Sequence, residues 1–348
     1  MNVFRVLSVR NRTVLINAAA LVLAVAGAVF GSSEVTRGIK NGIIFCAEAL
    51  VPSVLPYMII ACFAVKSGVN ALLGRLLDRA SLFLFGLSGK CAAAMIIGLI
   101  GGYPVAAKGI EALYKSGAIS GYEARKCAYS AFCAGTGFVV SFAGARLLGS
   151  AEIGWAILAA QIISALILAI ANRFIFPQKN NIDDYNSLAE VKLSEAFIES
   201  VSDGAYAAID MCAMVIVFSS FSGLTEKMPI LSVILEVCNA CNILSENNNI
   251  ALLAFAIGFG GLCVHLQIFR ILKNIKLNKY LFFLYRIIQG IITSTLTFIF
   301  IKLFRISLPV FSSLSSQPEL SLSGSVTGGI MLLLTGVCLI FNFNKRGD

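Results

Sequence analysis

The sequence predicts an all-α polytopic membrane protein built from two repeats of inverted topology, with discontinuous or re-entrant helices near the midplane of the membrane. Three observations support this prediction. Hydrophobic residues make up 58% of the 348 residues and charged residues 13%, a balance typical of integral membrane proteins. Apolar runs of membrane-spanning length recur along the chain. Two short motifs occur twice in the same order, which indicates an internal duplication.

The apolar runs predict the transmembrane helices, because crossing the hydrocarbon takes roughly 20 residues. Two further runs, 91–103 and 229–241, are too short to cross alone. The first long run follows Arg5, Arg10 and Arg12 as a signal peptide would, but its apolar core exceeds that of a usual cleaved signal, so we expect a retained helix. The runs of spanning length are 13–30, 42–65, 127–148, 151–176, 204–224, 249–269, 281–304 and 325–342.

The charge balance indicates topology. Lys and Arg number 27 against 18 Asp and Glu, and in a membrane protein such an excess is the ordinary signature of cytoplasmic loops and no sign of nucleic acid. The tail before the first run contains three arginines and no acid, which favours a cytoplasmic N-terminus. We therefore expect the lipid bilayer, and no nucleic acid, as a partner.

The cysteines and the single histidine argue against a metal centre and against several classes of enzyme. Most of the ten cysteines lie in apolar runs, where Cys behaves as a small hydrophobic residue. Cys238 and Cys241 have the C-x-x-C spacing of metal sites, but the chain has no second such pair. One His cannot form an H-E-x-x-H zinc site, and no G-x-S-x-G motif occurs. We expect free thiols, no cofactor, no metal and no enzymatic activity.

The duplication divides the chain into two halves. Residues 101–108 and 260–267 both read G-G-x-x-V-x-x-[K/Q], 159 residues apart, and Gly42 with Glu48 matches Gly204 with Asp210 at a separation of 162. The expected organisation is a tail and first helix in 1–40, a first repeat in 41–176, a polar linker in 177–203, a second repeat in 204–304, and a loop and final helix in 305–348.

The first Gly-Gly element, within the stretch GLIGGYPVAAK, predicts a broken helix. Gly101 and Gly102 permit unwinding, while Pro104 biases Tyr103 away from the helical region and suits the start of a new helix. Transporters built from repeats bind their substrates at such breaks near the membrane midplane. The alternative is a tight helix–helix turn at the surface of the membrane.

The helix that begins at this break is expected to bind an anion. Its first N–H groups are free and its dipole is positive at that end, and Lys108 adds a full charge one turn along. In the alternative arrangement Lys108 lies among lipid headgroups.

Three acids lie inside apolar runs, where each costs about 2.5–3.5 kcal/mol at a helix centre. Glu48 and Asp210 occupy matching positions, and we interpret them as a possible ion-coupling pair. Glu236 lies in the short run 229–241, which resembles a re-entrant hairpin, and is predicted to face the substrate. The alternative for each acid is a helix end, from which the carboxylate reaches the interface.

The second Gly-Gly element contributes His265 and Gln267 as candidate ligands, although a lone His is also a common hydrogen-bonded structural residue. The predicted substrate-binding residues are Gly101, Gly102, Tyr103, Pro104, Lys108, Glu236, Gly260, Gly261, His265 and Gln267.

These motifs resemble the YlbJ-like, or SpoVV-like, sporulation integral membrane proteins, which belong to the group with the nucleoside-recognition Gate domain. The resemblance covers roughly residues 40–300. The segment GYPVAAK followed by LY, GAIS and EA resembles that family's G-Y-P-V-G-A-K … L-Y … G-x-I-[ST] … E-A block, LEV at 235–237 resembles L-E-I-T, and GGLCVHLQ at 260–267 resembles G-G-L-S-V-H-x-Q.

The chain also departs from the family pattern. The family's C-N-N-x-G-P stretch has Ala134, Gly135 and Phe138 in place of two amides and a proline, and two family glycines are Ala106 and Ala240. These changes leave the identity of the substrate open.

The resemblance implies Gate-type repeats, a role in endospore formation, and transport of dipicolinic acid across the outer forespore membrane. A dicarboxylate suits a helix N-terminus together with Lys108 better than a neutral nucleoside does. We therefore expect a secondary transporter or permease for a small organic anion. The alternatives are a non-transporting membrane scaffold or sensor in spore assembly and a nucleoside transporter, and the sequence specifies neither the coupling ion nor the oligomeric state.

Overall fold

The structure is a computed structural model that describes residues 32–176, 192–220 and 229–306. Every regular element in these ranges is a helix. In these ranges five helices are long and apolar enough to cross a membrane, or six if one pair bent by 99° is counted as a single span. The prediction of an all-α chain with several helices able to span a membrane is therefore confirmed for the described residues. The predicted helices at 13–30 and 325–342, and the linker residues 177–191, lie outside the described residues.

The described residues of the first half, 32–176, form seven α-helices and two π-helical segments. A π-helical turn, Cys46–Leu50, joins the first two helices into one span, Val35–Lys66. Ser120 and Ser150 cap two of the later helices by accepting hydrogen bonds from the N–H groups three residues on. The elements are α1 (Ser32–Phe45), α2 (Val51–Lys66), α3 (Val69–Phe85), α4 (Gly89–Gly101), α5 (Tyr103–Lys115), α6 (Gly121–Ser130), the π-helical segment Gly137–Leu147, and α7 (Ala151–Ile175).

The described residues of the second half form six helices. Asn249 and Asn278 cap two of them through their side-chain oxygens, as asparagine commonly does at helix starts. The elements are α8 (Leu193–Ser219), α9 (Pro229–Leu235), α10 (Val237–Glu246), α11 (Ile250–Phe259), α12 (Gly261–Ile271) and α13 (Lys279–Leu303).

The run 127–148 was predicted to be one spanning helix, and this is wrong. Helix α6 ends at Ser130, residues 131–135 are not helical, and the π-helical segment follows. The reason is a close backbone approach: a Cβ on Gly135 would lie 2.9 Å from the nitrogen of Gly102 and 3.0 Å from the oxygen of Ile100. The non-helical residues therefore pass directly against the break between α4 and α5.

The long helices pack in pairs around the broken ones. Helix α2 packs along α8 and α7 along α13, while the π-helical segment packs on α7 and α11 on α13. Glycines permit both of the last two crossings: a Cβ on Gly144 would lie 2.6 Å from the Cα of Gly154, and one on Gly258 would lie 2.8 Å from the Cα of Gly290. Small residues at helix contacts are the usual means of close packing in membranes.

The order of elements repeats along the chain. With α3 left aside, a long helix, two broken helices and another long helix occur as α2, α4–α5, α6–π and α7, and again as α8, α9–α10, α11–α12 and α13. Helix α3 lies between α2 and α4 and has no counterpart among the described residues of the second half. In this order Gly102 corresponds to Glu236, and residues 131–135 correspond to Gly260. The sequence overlay instead aligned Gly101-Gly102 with Gly260-Gly261. In the order of elements, the first of these motifs lies at the first break of its half and the other lies at the second break.

Candidate functional site

Four breaks in the described helices, at Gly102, 131–135, Glu236 and Gly260, lie around one cavity between the long helices. Its volume is about 40 Å³, enough for a few water molecules. Helices α2 and α8 close it on one side. The wall consists of Gly101, Gly102, Tyr103 and Pro104; Ala134, Gly135 and Phe138; Glu236, Val237 and Cys238; Cys263, Val264 and Gln267; with Val54 and Met58 from α2 and Met211 and Val215 from α8.

At every break the helix that begins there presents its N-terminal turn to the cavity. These helices are α5, the π-helical segment, α10 and α12. The first N–H groups of a helix have no acceptor within it, and its dipole is equivalent to roughly +0.5 charge at this end. Each of these ends carries a partial charge of roughly +0.5, and the helix that ends at the same break carries roughly −0.5 at its carbonyl end.

Glu236 is the only charged side chain in the described wall of the cavity. It is 2% exposed and lies at the extended residue between α9 and α10, with φ −154° and ψ 124°. Its two carboxylate oxygens accept the N–H groups of Cys238 (2.9 Å) and Asn239 (2.8 Å). The carboxylate thus caps α10 and offsets the positive end of that helix.

Gly102 adopts a backbone conformation at the first break that requires glycine. Its φ is 83° and its ψ is −171°, a region that is essentially confined to glycine. The break also frees carbonyl groups at the end of α4, and the hydroxyl of Thr136 donates to one of them, Leu99 O, at 3.0 Å. Thr136, which follows the break at 131–135, therefore satisfies a backbone carbonyl at the break between α4 and α5.

Three consecutive carbonyls at the end of α11 are satisfied by side chains, since the last carbonyls of a helix have no intrahelical partner. The Tyr103 hydroxyl donates to Ile257 O at 2.5 Å. The Nη2 of Arg286 donates to Gly258 O at 2.6 Å. His265 Nε2 lies 2.9 Å from Phe259 O, and we assign the ring proton to this nitrogen.

Most of the predicted substrate-binding residues come together at the cavity. Gly101 to Pro104, Glu236 and Gln267 line it. Gly260 and Gly261 lie just behind the wall: a Cβ on Gly260 would be 3.3 Å from the Tyr103 ring, and one on Gly261 would be 3.3 Å from the Glu236 backbone.

Lys108 and His265 do not line the cavity, contrary to the sequence prediction. Lys108 is exposed, and within the described ranges no acid lies within ion-pair distance of it. Lys108 lies one turn beyond Pro104 on a similar face of α5, but it is farther along the helix from the break, and its exposed side chain does not reach the wall of the cavity. His265 is fully buried among Phe259, Phe282 and Phe283.

No hydrogen bond joins Glu48 and Asp210 in the described structure, and each has a different basic neighbour. The Glu48 side chain is exposed, and its backbone carbonyl accepts a hydrogen bond from Arg146 at 2.6 Å. Asp210 forms an ion pair of 3.1 Å with the exposed Arg270. Cys238 and Cys241 are free, buried thiols, and the described part of the chain holds no cluster of three potential metal ligands.

The sequence analysis missed the polar groups that lie behind Tyr103. Arg286 and Gln289 lie one turn apart in α13, and Gln161 lies in α7; all three are fully buried. The sequence does contain a signal for Arg286, which lies within the apolar run 281–304. Placing an arginine inside a spanning helix costs as much free energy as placing there one of the acids that the sequence analysis selected.

Comparison with known proteins finds no matching family model, no similar curated protein and no similar solved structure. Membership of the sporulation family consequently stays a prediction from the sequence motifs, and the function is argued from the geometry of the cavity.

Proposed function

We propose that the protein is a secondary transporter or permease for a small organic anion. Dipicolinic acid is the substrate that the sequence motifs favour, and the proposed setting is the outer forespore membrane of a spore-forming bacterium. Membership of the YlbJ-like family and its Gate-type repeats belong to the same proposal. The observation that carries it is the convergence of four helix N-termini on one cavity between membrane-spanning helices.

The electrostatics of the cavity favour an anion. The N-terminal ends of α5, the π-helical segment and α12 face the cavity without a side-chain cap, and Glu236 caps only α10. The preceding helices end at the same breaks and carry the opposite partial charge, but side chains already donate to three carbonyls of α11 and to one of α4. The uncapped N–H groups therefore favour an anion in a region where hydrocarbon and apolar side chains screen charges poorly. A carboxylate gains from the partial positive charge of these groups, whereas a neutral nucleoside does not.

The small volume of the cavity supports the interpretation of this structure as the closed state of a transport cycle. Pockets for drug-sized ligands measure roughly 300–1,000 Å³, so a cavity of about 40 Å³ does not admit a pyridine dicarboxylate. Binding therefore requires the broken helices to move apart. The repeated order of elements supports two inverted repeats that rock around the cavity, the mechanism of many secondary transporters.

Uptake into proteoliposomes tests the proposal. The purified protein is reconstituted, and uptake of labelled dipicolinate is compared with that of labelled nucleosides and with protein-free vesicles. We expect uptake of dipicolinate alone. Uptake of nucleosides alone, or of neither compound, would contradict the proposal.

A further inference from the structure

Arg286 is a fully buried cation without an acidic partner. It is 0% exposed in α13, and no acid among the described residues lies within ion-pair distance. Its Nη1 donates to Phe132 O at 2.7 Å and its Nη2 to Gly258 O at 2.6 Å, which places it at the carbonyl ends of α6 and α11. Its Nε–H has no hydrogen-bond partner among the described atoms.

Two buried glutamines beside it are also incompletely bonded. Gln161 in α7 is 0% exposed, and neither atom of its amide has a hydrogen-bond partner at ordinary distance in the described structure. Gln289 donates to Phe132 O at 3.1 Å, but its Oε1 has no partner there either. Buried polar groups are nearly always hydrogen-bonded, so free groups gathered in one place indicate a ligand.

These side chains form one group, which we call the Arg286 cluster: Arg286, Gln161 and Gln289. Cys133 connects its members, because its thiol donates to Gln161 O (3.8 Å) and accepts from Gln289 Nε2 (3.6 Å). The Arg286 guanidinium lies 5.7 Å from the centre of the Tyr103 ring, and the Gln161 amide lies next to the Tyr103 hydroxyl.

Tyr103 separates the Arg286 cluster from the cavity. One side of this residue lines the cavity, and the guanidinium faces its ring. One hydrogen bond, to Ile257 O, anchors the hydroxyl, and Gly260 leaves the end of the ring without a side chain beneath it. Movement of Tyr103 would therefore connect the Arg286 cluster with the cavity.

We propose that the Arg286 cluster is a second recognition point for the substrate, at which one of its carboxylates binds. With Tyr103 displaced, the carboxylate accepts hydrogen bonds from the Nε–H of Arg286 and the amide N–H of Gln161. The helix N-termini then hold the other carboxylate, so the site selects dicarboxylates over monocarboxylates. This inference rests on the proposed function and deepens it.

Gln161→Met is the variant that tests this inference with the least disturbance of the fold. The Gln161 amide lies beside the Tyr103 hydroxyl but makes no hydrogen bond of ordinary length in the described structure, so Met of similar length removes the amide while the Tyr103 hydroxyl keeps its bond to Ile257 O. Arg286→Lys is the second variant, which keeps the charge and removes the Nε–H. Ser164→Ala is the matched control, because Ser164 lies one turn along α7 and its hydroxyl is already bonded to Gln161 O and Thr293.

The measurement is equilibrium binding of dipicolinate and of picolinate, its monocarboxylate analogue, to the purified proteins. The parent and Ser164→Ala should prefer dipicolinate, and Gln161→Met should reduce that preference by about ten-fold, as expected for a lost hydrogen bond to a charged group. Without ligand, Gln161→Met should also melt at a higher temperature than the parent.

Two results would overturn the inference, and they are distinguishable. If the parent binds both compounds and both cluster variants keep its preference, the carboxylate does not reach the Arg286 cluster, while the proposed function stands. If the parent binds neither compound, the proposed function fails and the inference fails with it.

Discussion

Gly102 shows how a single residue determines the break between α4 and α5. Its φ of 83° and ψ of −171° fall in a region that side chains with a Cβ avoid, and a Cβ there would also lie 3.1 Å from the nitrogen of Gly135. Both the conformation and the close contact therefore require glycine.

Gly102→Ala should lower the free energy of unfolding by about 1–3 kcal/mol, the usual cost of such backbone strain, and should reduce transport. Thermal unfolding in detergent and uptake in proteoliposomes measure the two effects. Gly109→Ala is the control in the same region, because its Cβ would meet only the Cβ of Ala94 at an ordinary 3.5 Å. Equal stability of the two variants would show that the break does not depend on Gly102.

Glu236→Gln should tighten the binding of dipicolinate. The substitution keeps an acceptor for an N–H group of α10 but removes the negative charge from the cavity, and two charges several ångströms apart at an effective dielectric constant near 20 interact by roughly 2–4 kcal/mol. Equilibrium binding should show an increase in affinity of about ten-fold or more. Weaker binding would mean that Glu236 contacts the substrate or a coupling cation directly.

Lys108→Gln should change the affinity for dipicolinate by less than about three-fold, because exposed charges contribute little. The sequence alone predicts a large loss from this substitution, since it places Lys108 one turn into the anion-binding helix. A direct comparison of binding by the parent and the variant distinguishes the two expectations. A loss of ten-fold or more would show that Lys108 approaches the substrate in another conformation.

At the scale of elements, the contact between α11 and α13 depends on small residues and positions Arg286 against the end of α11. A Cβ on Gly290 would lie 2.9 Å from the Phe255 ring and 3.0 Å from the Phe255 carbonyl. A larger residue must therefore push the helices apart.

Gly290→Val should destabilise the protein by about 1–3 kcal/mol, the usual cost of overpacking, and should weaken the hydrogen bond from Arg286 to Gly258 O. Thermal unfolding of the purified variant checks the first effect. Ile287→Val on the lipid-facing side of α13, where Ile287 is exposed, is the control and should be close to neutral. Equal unfolding temperatures for both variants would contradict the importance of this contact.

The sequence predicted which segments are helical and apolar better than it predicted where they break. Hydropathy gives the length of an apolar run, and a break appears only where glycine or proline marks it, as at Gly101, Gly102 and Pro104. The break at 131–135 has no proline, since Phe138 stands at the proline position of the family pattern, and the run 127–148 therefore resembled one continuous helix. Helix α3 was missed because its charged face keeps its hydropathy low.

At the scale of the whole molecule, the site depends on tertiary arrangement as well as on motifs. Sequence patterns identified two of the helix starts and Glu236, because irregular or charged residues stand out in apolar runs. The convergence of four helix N-termini and the position of Arg286 behind Tyr103 depend on how the helices pack, including α7 on α13. Sequence patterns do not specify this packing. The residues that correspond between the two halves could be identified only from the order of the helices, because short apolar motifs can be aligned in more than one way.

The central claim is that the cavity between the broken helices binds an organic anion by its charge. The most direct test is equilibrium binding of labelled dipicolinate to the purified protein, in competition with unlabelled dipicolinate or with the neutral dipicolinic diamide of nearly the same shape. We expect dipicolinate to displace the label and the diamide to fail at a hundred-fold excess. Displacement by the diamide as effective as that by the dianion would contradict the claim, because shape and not charge would then determine binding.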